Sequence, residues 1–162
     1  MDLKRHEACS KLKRKENQQF LNRLTKVKSK ALDRLIHPLH EEVFENTNCL
    51  VCANCCKTTG PLFTDKDISR IANRLSVKPS VFFEKYLQID EDREYVLKSL
   101  PCAFLSEDNS CSIYDFRPKA CREFPHTDRR RQIQLLKITQ KNLEVCPAVF
   151  EIVEKLKEQL VK

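Results

Sequence analysis

Apolar residues recur at steps of three and four in two parts of the chain, and this period predicts helices. The first part covers residues 3–45 and is expected to form two helical pieces, with Pro38 ending or kinking the second. The second part begins at Pro147 and continues to the end of the sequence. The apolar faces consist of Phe20, Leu21, Leu24, Val27, Ala31, Leu35 and Leu39 in the first part, and of Val149, Ile152, Val153, Leu156 and Leu160 in the second.

Shorter elements are predicted between these two parts. A capping box that starts at Thr64 and a proline at position 79 each mark a helix start. The predicted elements are a helix at Ile68–Leu75, one after Pro79, one at Arg129–Ile138, a strand at Glu94–Leu97, and a hairpin of Ala103–Leu105 with Cys111–Tyr114. Residues 49–61 have no periodicity and are expected to form a loop. The fold class is therefore mainly α with a small β hairpin.

The positive charge is concentrated at the N-terminus. The net charge is +7, and residues 1–30 alone contain ten Lys or Arg against three Asp or Glu. Such a segment can contact phosphates, but the chain has no tryptophan and three tyrosines, so stacking platforms for bases are not expected. A solvated helix face is favoured over nucleic-acid binding. The single glycine, Gly60, excludes the glycine-rich phosphate loops of nucleotide-binding proteins.

The expected location of the protein decides how its cysteines are interpreted. No apolar run approaches the roughly 20 residues of a membrane helix, and the N-terminus does not have the pattern of a secretory signal. We therefore expect a cytoplasmic protein without membrane association. In a reducing cytosol, clustered thiols are more often metal ligands than disulfides.

Eight of the nine cysteines form a constellation typical of metal sites. Four lie within eight residues, at Cys49, Cys52, Cys55 and Cys56, with the two-residue spacing that lets a turn direct successive sulfurs at one metal. Four more follow at Cys102, Cys111, Cys121 and Cys146. Eight sulfurs would complete two sites of four. Cys9 lies apart on a predicted helix and is expected to be structural or incidental.

The spacing alone does not separate zinc from an iron–sulfur cluster. Zinc favours four-sulfur tetrahedral sites, whereas iron–sulfur proteins use the run C-x2-C-x2-C with a remote Cys-Pro pair. Cys49, Cys52 and Cys55 match that run, and Cys146-Pro147 supplies the pair. The iron–sulfur cluster is slightly favoured, with zinc as the alternative.

These motifs, in this order, resemble a known family. The run CLVCANCC, followed by PCAFL, CSIY, RPKACREFP and CP, is similar to the YkgJ-like cysteine-cluster family, a zinc- or iron-chelating domain with a CxxCxxCC signature. The resemblance implies that all eight cysteines are metal ligands. The resemblance covers about residues 46–150. We predict a single metal-stabilised domain at residues 46–162, preceded by the basic helical segment 1–45.

Three functional hypotheses remain open at this point. The first is a non-catalytic metal-binding protein. The second is an iron–sulfur or redox-metal enzyme that modifies protein side chains, by analogy with a related cysteine region in flagellin lysine methylases, although this chain is much shorter. The third is a basic adaptor that binds nucleic acid or a partner protein. No carboxylate pair or Ser/His/Asp pattern supports a hydrolase. Arg117 and Arg122 are candidates for contacts with thiolate sulfurs, and His126 is a weaker candidate ligand.

Overall fold

The computed structural model describes residues 2–161 and is 62% helical, with one two-stranded antiparallel hairpin. The predicted fold class is confirmed. The chain divides into two compact units, of which the first joins the chain up to Asn48 with the chain from Pro125 onward, and the second is Cys49–Phe124. The predicted division at residues 45 and 46 stays a prediction, and its terminal residues Met1 and Lys162 lie outside the described part. No helix in that part is both long and apolar enough to cross a membrane.

The first unit is built from helices alone in the part of the chain that is described. They are α1 Leu3–Leu12, α2 Arg14–Leu24, α3 Ser29–Glu45, α9 Gln132–Asn142 and α10 Pro147–Val161. Pro147 starts α10 as expected, because the fixed φ of proline suits the first helical turn. The predicted apolar face of α10 is buried except for Leu160, and it packs against buried side chains of α2 and α3.

Pro38 does not end its helix, so that part of the prediction is wrong, whereas a kink at Pro38 stays a prediction. Helix α3 continues through Pro38 to Glu45. Its buried positions on either side of the proline are Leu32, Ile36, Leu39 and Val43. This stripe packs against α10, so the apolar surface it buries outweighs the backbone hydrogen bond that proline cannot donate.

Helix α1 is also better anchored than its few apolar residues suggest. His6 is 1% exposed, its Nε2 donates a hydrogen bond to the Leu143 carbonyl at 2.9 Å, and its ring meets Phe150 edge-on. Ser10 is buried on the same helix. A polar rather than an apolar side chain therefore fixes α1, which a search for hydrophobic periodicity does not detect.

The second unit consists of short elements around an aromatic core. In chain order, they are α4 Cys49–Cys52, α5 Asn54–Thr58, α6 Asp65–Arg74, α7 Pro79–Tyr86, β1 Leu87–Ile89, β2 Tyr95–Leu97, a 3-10 helix at Tyr114–Phe116 and α8 Lys119–Glu123. The predicted capping box is present, since Thr64 and Asp67 each accept a hydrogen bond from the other's backbone amide. Phe82, from α7, stacks on Phe104 with 6.0 Å between ring centroids.

The β hairpin lies earlier in the chain than predicted. The strand predicted at Glu94–Leu97 is confirmed as β2, but its partner is Leu87–Ile89. The turn between them is fixed by Asp90, whose carboxylate accepts hydrogen bonds from the amides of Asp92 and Glu94. The hairpin predicted around residues 103–114 is reduced to a single bridge between Leu105 and Cys111.

Candidate metal centre

The first four cysteines lie on two consecutive helical turns rather than on the predicted loop. Helices α4 and α5 meet at Ala53, which is buried and adopts a left-handed backbone with φ of 45°. This left-handed residue separates the two helical turns. Cys49 and Cys52 therefore belong to one turn, and Cys55 and Cys56 belong to the next.

The sulfurs of Cys55 and Cys56 have a spacing that suits a shared metal ion. Their Sγ atoms are 3.9 Å apart. Two sulfurs at about 2.3 Å from a tetrahedral zinc would be about 3.8 Å apart. None of the nine cysteines, all of which lie in the described part of the chain, forms a disulfide. The donor set is therefore made of thiols and fits a thiolate-binding metal.

Backbone hydrogen bonds bring the next two cysteines to this pair of turns. The amide of Cys102 donates to the Cys56 carbonyl at 2.8 Å, so the two residues are directly connected. Cys102 is then linked to Cys111 by a tight turn, in which the Ser106 amide donates to the Ser110 carbonyl. Both cysteines pack against the aromatic core of the unit. Metal ligation at this position would thus be supported by a packed core.

Helix α8 carries Cys121 and is fastened to α6 through Asp67. The carboxylate of Asp67 accepts a hydrogen bond from the Lys119 amide at 3.1 Å, at the first residue of α8. Arg70 donates to the same carboxylate and also to the carbonyl of Arg117. Burial alone would raise the pKa of Asp67, but the hydrogen bonds from Thr64, Lys119 and Arg70 outweigh it and keep this pKa below its usual value.

The charge of Cys56 affects the pKa of four other thiols. Burial raises the pKa of Cys49, Cys102 and Cys111, and it raises the pKa of Cys121 to about 12. A negative charge on Cys56 adds to the increase at each of these four thiols. Thiols from three separate stretches of the chain therefore lie within electrostatic reach of Cys56.

The pKa of Cys56 is lowered, whereas the pKa values of Cys49, Cys102, Cys111 and Cys121 are raised. A hydrogen bond with Cys55 and the charges of Arg117 and Lys57 lower the pKa of Cys56 to about 7, against the opposing effect of burial. Arg117 also lowers the pKa of Cys49, Cys111 and Cys121. One arginine thus serves as a common countercharge for thiols from different parts of the chain.

Six of the eight predicted ligands are linked by these contacts and charge effects, and the other two are Cys52 and Cys146. Cys52 shares the α4 turn with Cys49, and its charge contributes to the raised pKa of Cys49. Cys146 belongs to the first unit, where it packs against the helical core, as does Cys9. No three Cys, His, Asp or Glu side chains in residues 2–161 already have the arrangement needed to hold a metal ion.

The histidines play other roles in the first unit. His37 and His40 both lie inside α3. His40 bonds through Nδ1 to the buried hydroxyl of Thr127 at 2.7 Å, and His37 donates from Nε2 to the Arg129 carbonyl. Desolvation lowers the pKa of His40. These contacts fasten residues 127–129 to α3.

The family can now be stated from the comparison with family models. Residues 48–147 match the CxxCxxCC family, described as "Putative zinc- or iron-chelating domain". The chain belongs to this CxxCxxCC family. The match includes all eight predicted ligand cysteines and excludes Cys9. Comparisons with curated proteins and with solved structures gave no match.

Proposed function

We propose that this CxxCxxCC protein chelates zinc or an iron–sulfur cluster through a thiolate centre in its second unit. The ligands would come from Cys49, Cys52, Cys55, Cys56, Cys102, Cys111 and Cys121. The observation that carries the proposal is that thiol-bearing segments meet in the fold: the Sγ atoms of Cys55 and Cys56 are 3.9 Å apart, and the Cys102 amide donates to the Cys56 carbonyl at 2.8 Å. Cys146 stays a predicted eighth ligand on the basis of sequence.

The chemistry of these donors supports the two metals named by the family. Thiolates suit zinc and iron–sulfur clusters, whereas magnesium and calcium prefer oxygen ligands. All of these cysteines except the exposed Cys49 are partly buried, which would shield a centre from solvent, and the core beneath Cys102 and Cys111 limits their movement. A bound centre would cross-link α4, α5, the segment around residues 102–111 and α8, and it would thereby stabilise a unit made of short elements.

The choice between the two metals rests on the sequence. The run from Cys49 to Cys55 and the Cys146-Pro147 pair slightly favour an iron–sulfur cluster. The 3.9 Å spacing of the Cys55 and Cys56 sulfurs is compatible with zinc. Neither the enzymatic nor the adaptor hypothesis gains a specific observation from the arrangement of side chains.

Elemental analysis of anaerobically purified protein tests the proposal. Zinc, iron and acid-labile sulfide are quantified in the wild type, in Cys56→Ser and in the control Cys9→Ser. The wild type and Cys9→Ser should contain the same metal, and Cys56→Ser should lose most of it. A wild-type protein that neither retains nor takes up zinc or iron contradicts the proposal, and so does full loading of Cys56→Ser.

A further inference from the structure

Arg117 presents a buried hydrogen-bond donor next to the candidate centre. Its Nε lies inside the protein and has no hydrogen-bond partner in the structure. The Nε–H of arginine can only donate, so no rearrangement of its own protons removes the deficit. A buried donor without an acceptor costs about 1–3 kcal/mol. Such a group requires an explanation, and functional sites are where it is often found.

The Arg117 side chain packs on an aromatic ring. The guanidinium carbon lies 3.5 Å from the centroid of the Tyr114 ring, a close cation–π contact. This contact restrains the position of the guanidinium. A guanidinium that packs on an aromatic ring still has several N–H donors for other acceptors.

The backbone of Arg117 is fixed as well. Its carbonyl accepts hydrogen bonds from Arg70 at 2.8 Å and from Arg122 at 3.2 Å. Two successive turns lead to it from the cysteine group, since the Tyr114 amide donates to the Cys111 carbonyl and the Arg117 amide donates to the Tyr114 carbonyl. The position of Arg117 relative to Cys111 is therefore set by local hydrogen bonds.

Sulfur is the candidate acceptor, because the two hydrogen-bonded turns join Arg117 to the predicted ligand Cys111. The charge of Arg117 acts on the thiols of Cys49, Cys56, Cys111 and Cys121. Four thiolates on one divalent ion carry a net charge of −2, which is unfavourable in a partly buried site unless a cation offsets it. A hydrogen bond from a guanidinium to an ionised acceptor is among the stronger ones that proteins make.

We propose that Arg117 is the positioning residue of the thiolate centre, with its Nε–H donating to a ligand sulfur and its charge offsetting the bound thiolates. The inference rests on the proposed chelating function. Residues outside the ligand set that orient ligands typically change metal affinity about 10- to 100-fold when they are replaced. Hydrogen bonds to the sulfurs also tune the electronic properties of iron–sulfur clusters.

The competing explanation is that Arg117 only packs on Tyr114. Arg117→Met separates the two, because methionine keeps an unbranched apolar stem over the ring and removes the charge and the donors. Arg117→Lys keeps the charge and removes the planar donor. The matched control is Arg74→Met, since Arg74 lies over the Phe116 ring in the same unit at 5.2 Å and its loss changes the net charge equally.

Zinc affinity of the metal-free full chain, measured by competition with a chromophoric chelator, is the first readout. Arg117→Met should bind zinc about 10- to 100-fold more weakly than wild type. Arg117→Lys should recover part of the loss, and Arg74→Met should bind as wild type does. The second readout is the sulfur-to-cobalt charge-transfer band of the cobalt-loaded protein, which should shift in Arg117→Met and stay unchanged in Arg74→Met.

The outcomes distinguish this inference from the proposed function. If the wild type binds zinc and Arg117→Met binds it equally well with an unshifted cobalt band, the inference is wrong and the chelating function stands. If the wild type binds neither zinc nor cobalt through sulfur, both fail. Should Arg117→Met not fold by circular dichroism, Arg117→Lys decides, because wild-type values for both readouts in that variant overturn the inference.

Discussion

Replacing Asp67 by alanine should destabilise the second unit more than any single exposed change in α6. The Asp67 side chain is 2% exposed. Its carboxylate accepts four hydrogen bonds, from the Thr64 amide and hydroxyl, from Arg70 and from the Lys119 amide. The two bonds from Thr64 cap α6, and the bond from the Lys119 amide connects α6 to α8. Arg70 also donates to the Arg117 carbonyl and so connects α6 to that residue. One carboxylate thus supports both a helix start and the segment that carries Cys121.

The expected loss can be estimated from these contacts. Removing one member of a buried charge pair typically costs about 3–5 kcal/mol, because the remaining partner stays desolvated. Arg70 retains 34% side-chain exposure, so water can replace part of its lost contact. We therefore expect a decrease of about 3 kcal/mol in the free energy of unfolding, near the lower end of that range. This is a large fraction of the about 5–15 kcal/mol that stabilises a typical domain.

Urea unfolding followed by circular dichroism measures the change, and hydrogen exchange of residues 49–124 assigns it to the second unit. Asp65→Ala is the matched control. Asp65 is an exposed acid in the same first turn, and its removal affects only the interaction with the helix dipole, worth about 0.3–1 kcal/mol. An Asp67→Ala protein that loses no more stability than Asp65→Ala would refute the role assigned to this network.

The role of Asp67 also predicts how the stability of the folded protein depends on pH. The pKa of Asp67 is lowered in the folded protein by its hydrogen bonds, although burial opposes them. Its ionised form therefore stabilises the fold at pH values above the unfolded-state pKa of about 4. This contribution is lost as the pH falls through the lower native pKa. The wild type should lose stability in this acidic range more steeply than Asp67→Ala does.

Three further predictions follow from other parts of the chain. His6→Ala should lower the free energy of unfolding by about 2–4 kcal/mol in urea titrations, because it removes a buried ring and leaves the Leu143 carbonyl without its donor; an unchanged midpoint would contradict the anchoring role of α1. Zinc binding at pH 6 should release up to about four protons per ion, measured with a pH indicator, because Cys56, with a pKa of about 7, and the thiols whose pKa burial raises are protonated at this pH and bind as thiolates; no release would exclude thiolate ligation. A strong chelator should lower the thermal midpoint and increase exchange in residues 49–124, whereas equal protection with and without metal would refute metal-dependent folding.

Elements with local signals were predictable from sequence. The capping box at Thr64, the prolines at positions 79 and 147, and the apolar stripe of the last helix are local signals for three helices, and all three helices form. The β-favouring run at Tyr95–Leu97 is a strand for the same reason. The family was predictable because its cysteine motifs occur together and in order.

Elements that depend on tertiary contacts were not predictable in this way. Pro38 is accommodated because the stripe on both of its sides packs on α10, which a local rule cannot detect. The turn at Asp90 lets Leu87–Ile89 pair with β2. This turn signal is present in the sequence, but it is weaker than the apolar runs near Cys111, which led to the prediction of a different hairpin. Helix α1 is held by a buried histidine whose acceptor lies 137 residues away.

For the candidate centre, too, one part was predictable from the sequence and another part was not. The spacing from Cys49 to Cys56 indicates a metal site, but the left-handed Ala53 that folds the run into two turns has no sequence signature, since glycine or asparagine is usual in this conformation. The place of Arg117 also depends on long-range bonds from Arg70. The sequence therefore predicted the donor type, and the structure was needed for the grouping around Cys56.

X-ray absorption at the metal edge of the anaerobically purified protein tests the central claim most directly. The account predicts a first coordination shell of sulfur, at about 2.3 Å if the metal is zinc. The fitted number of sulfurs should decrease in Cys56→Ser and stay unchanged in Cys9→Ser. A shell of nitrogen and oxygen alone, or a sulfur shell that Cys56→Ser leaves intact, would contradict a thiolate centre grouped around Cys56.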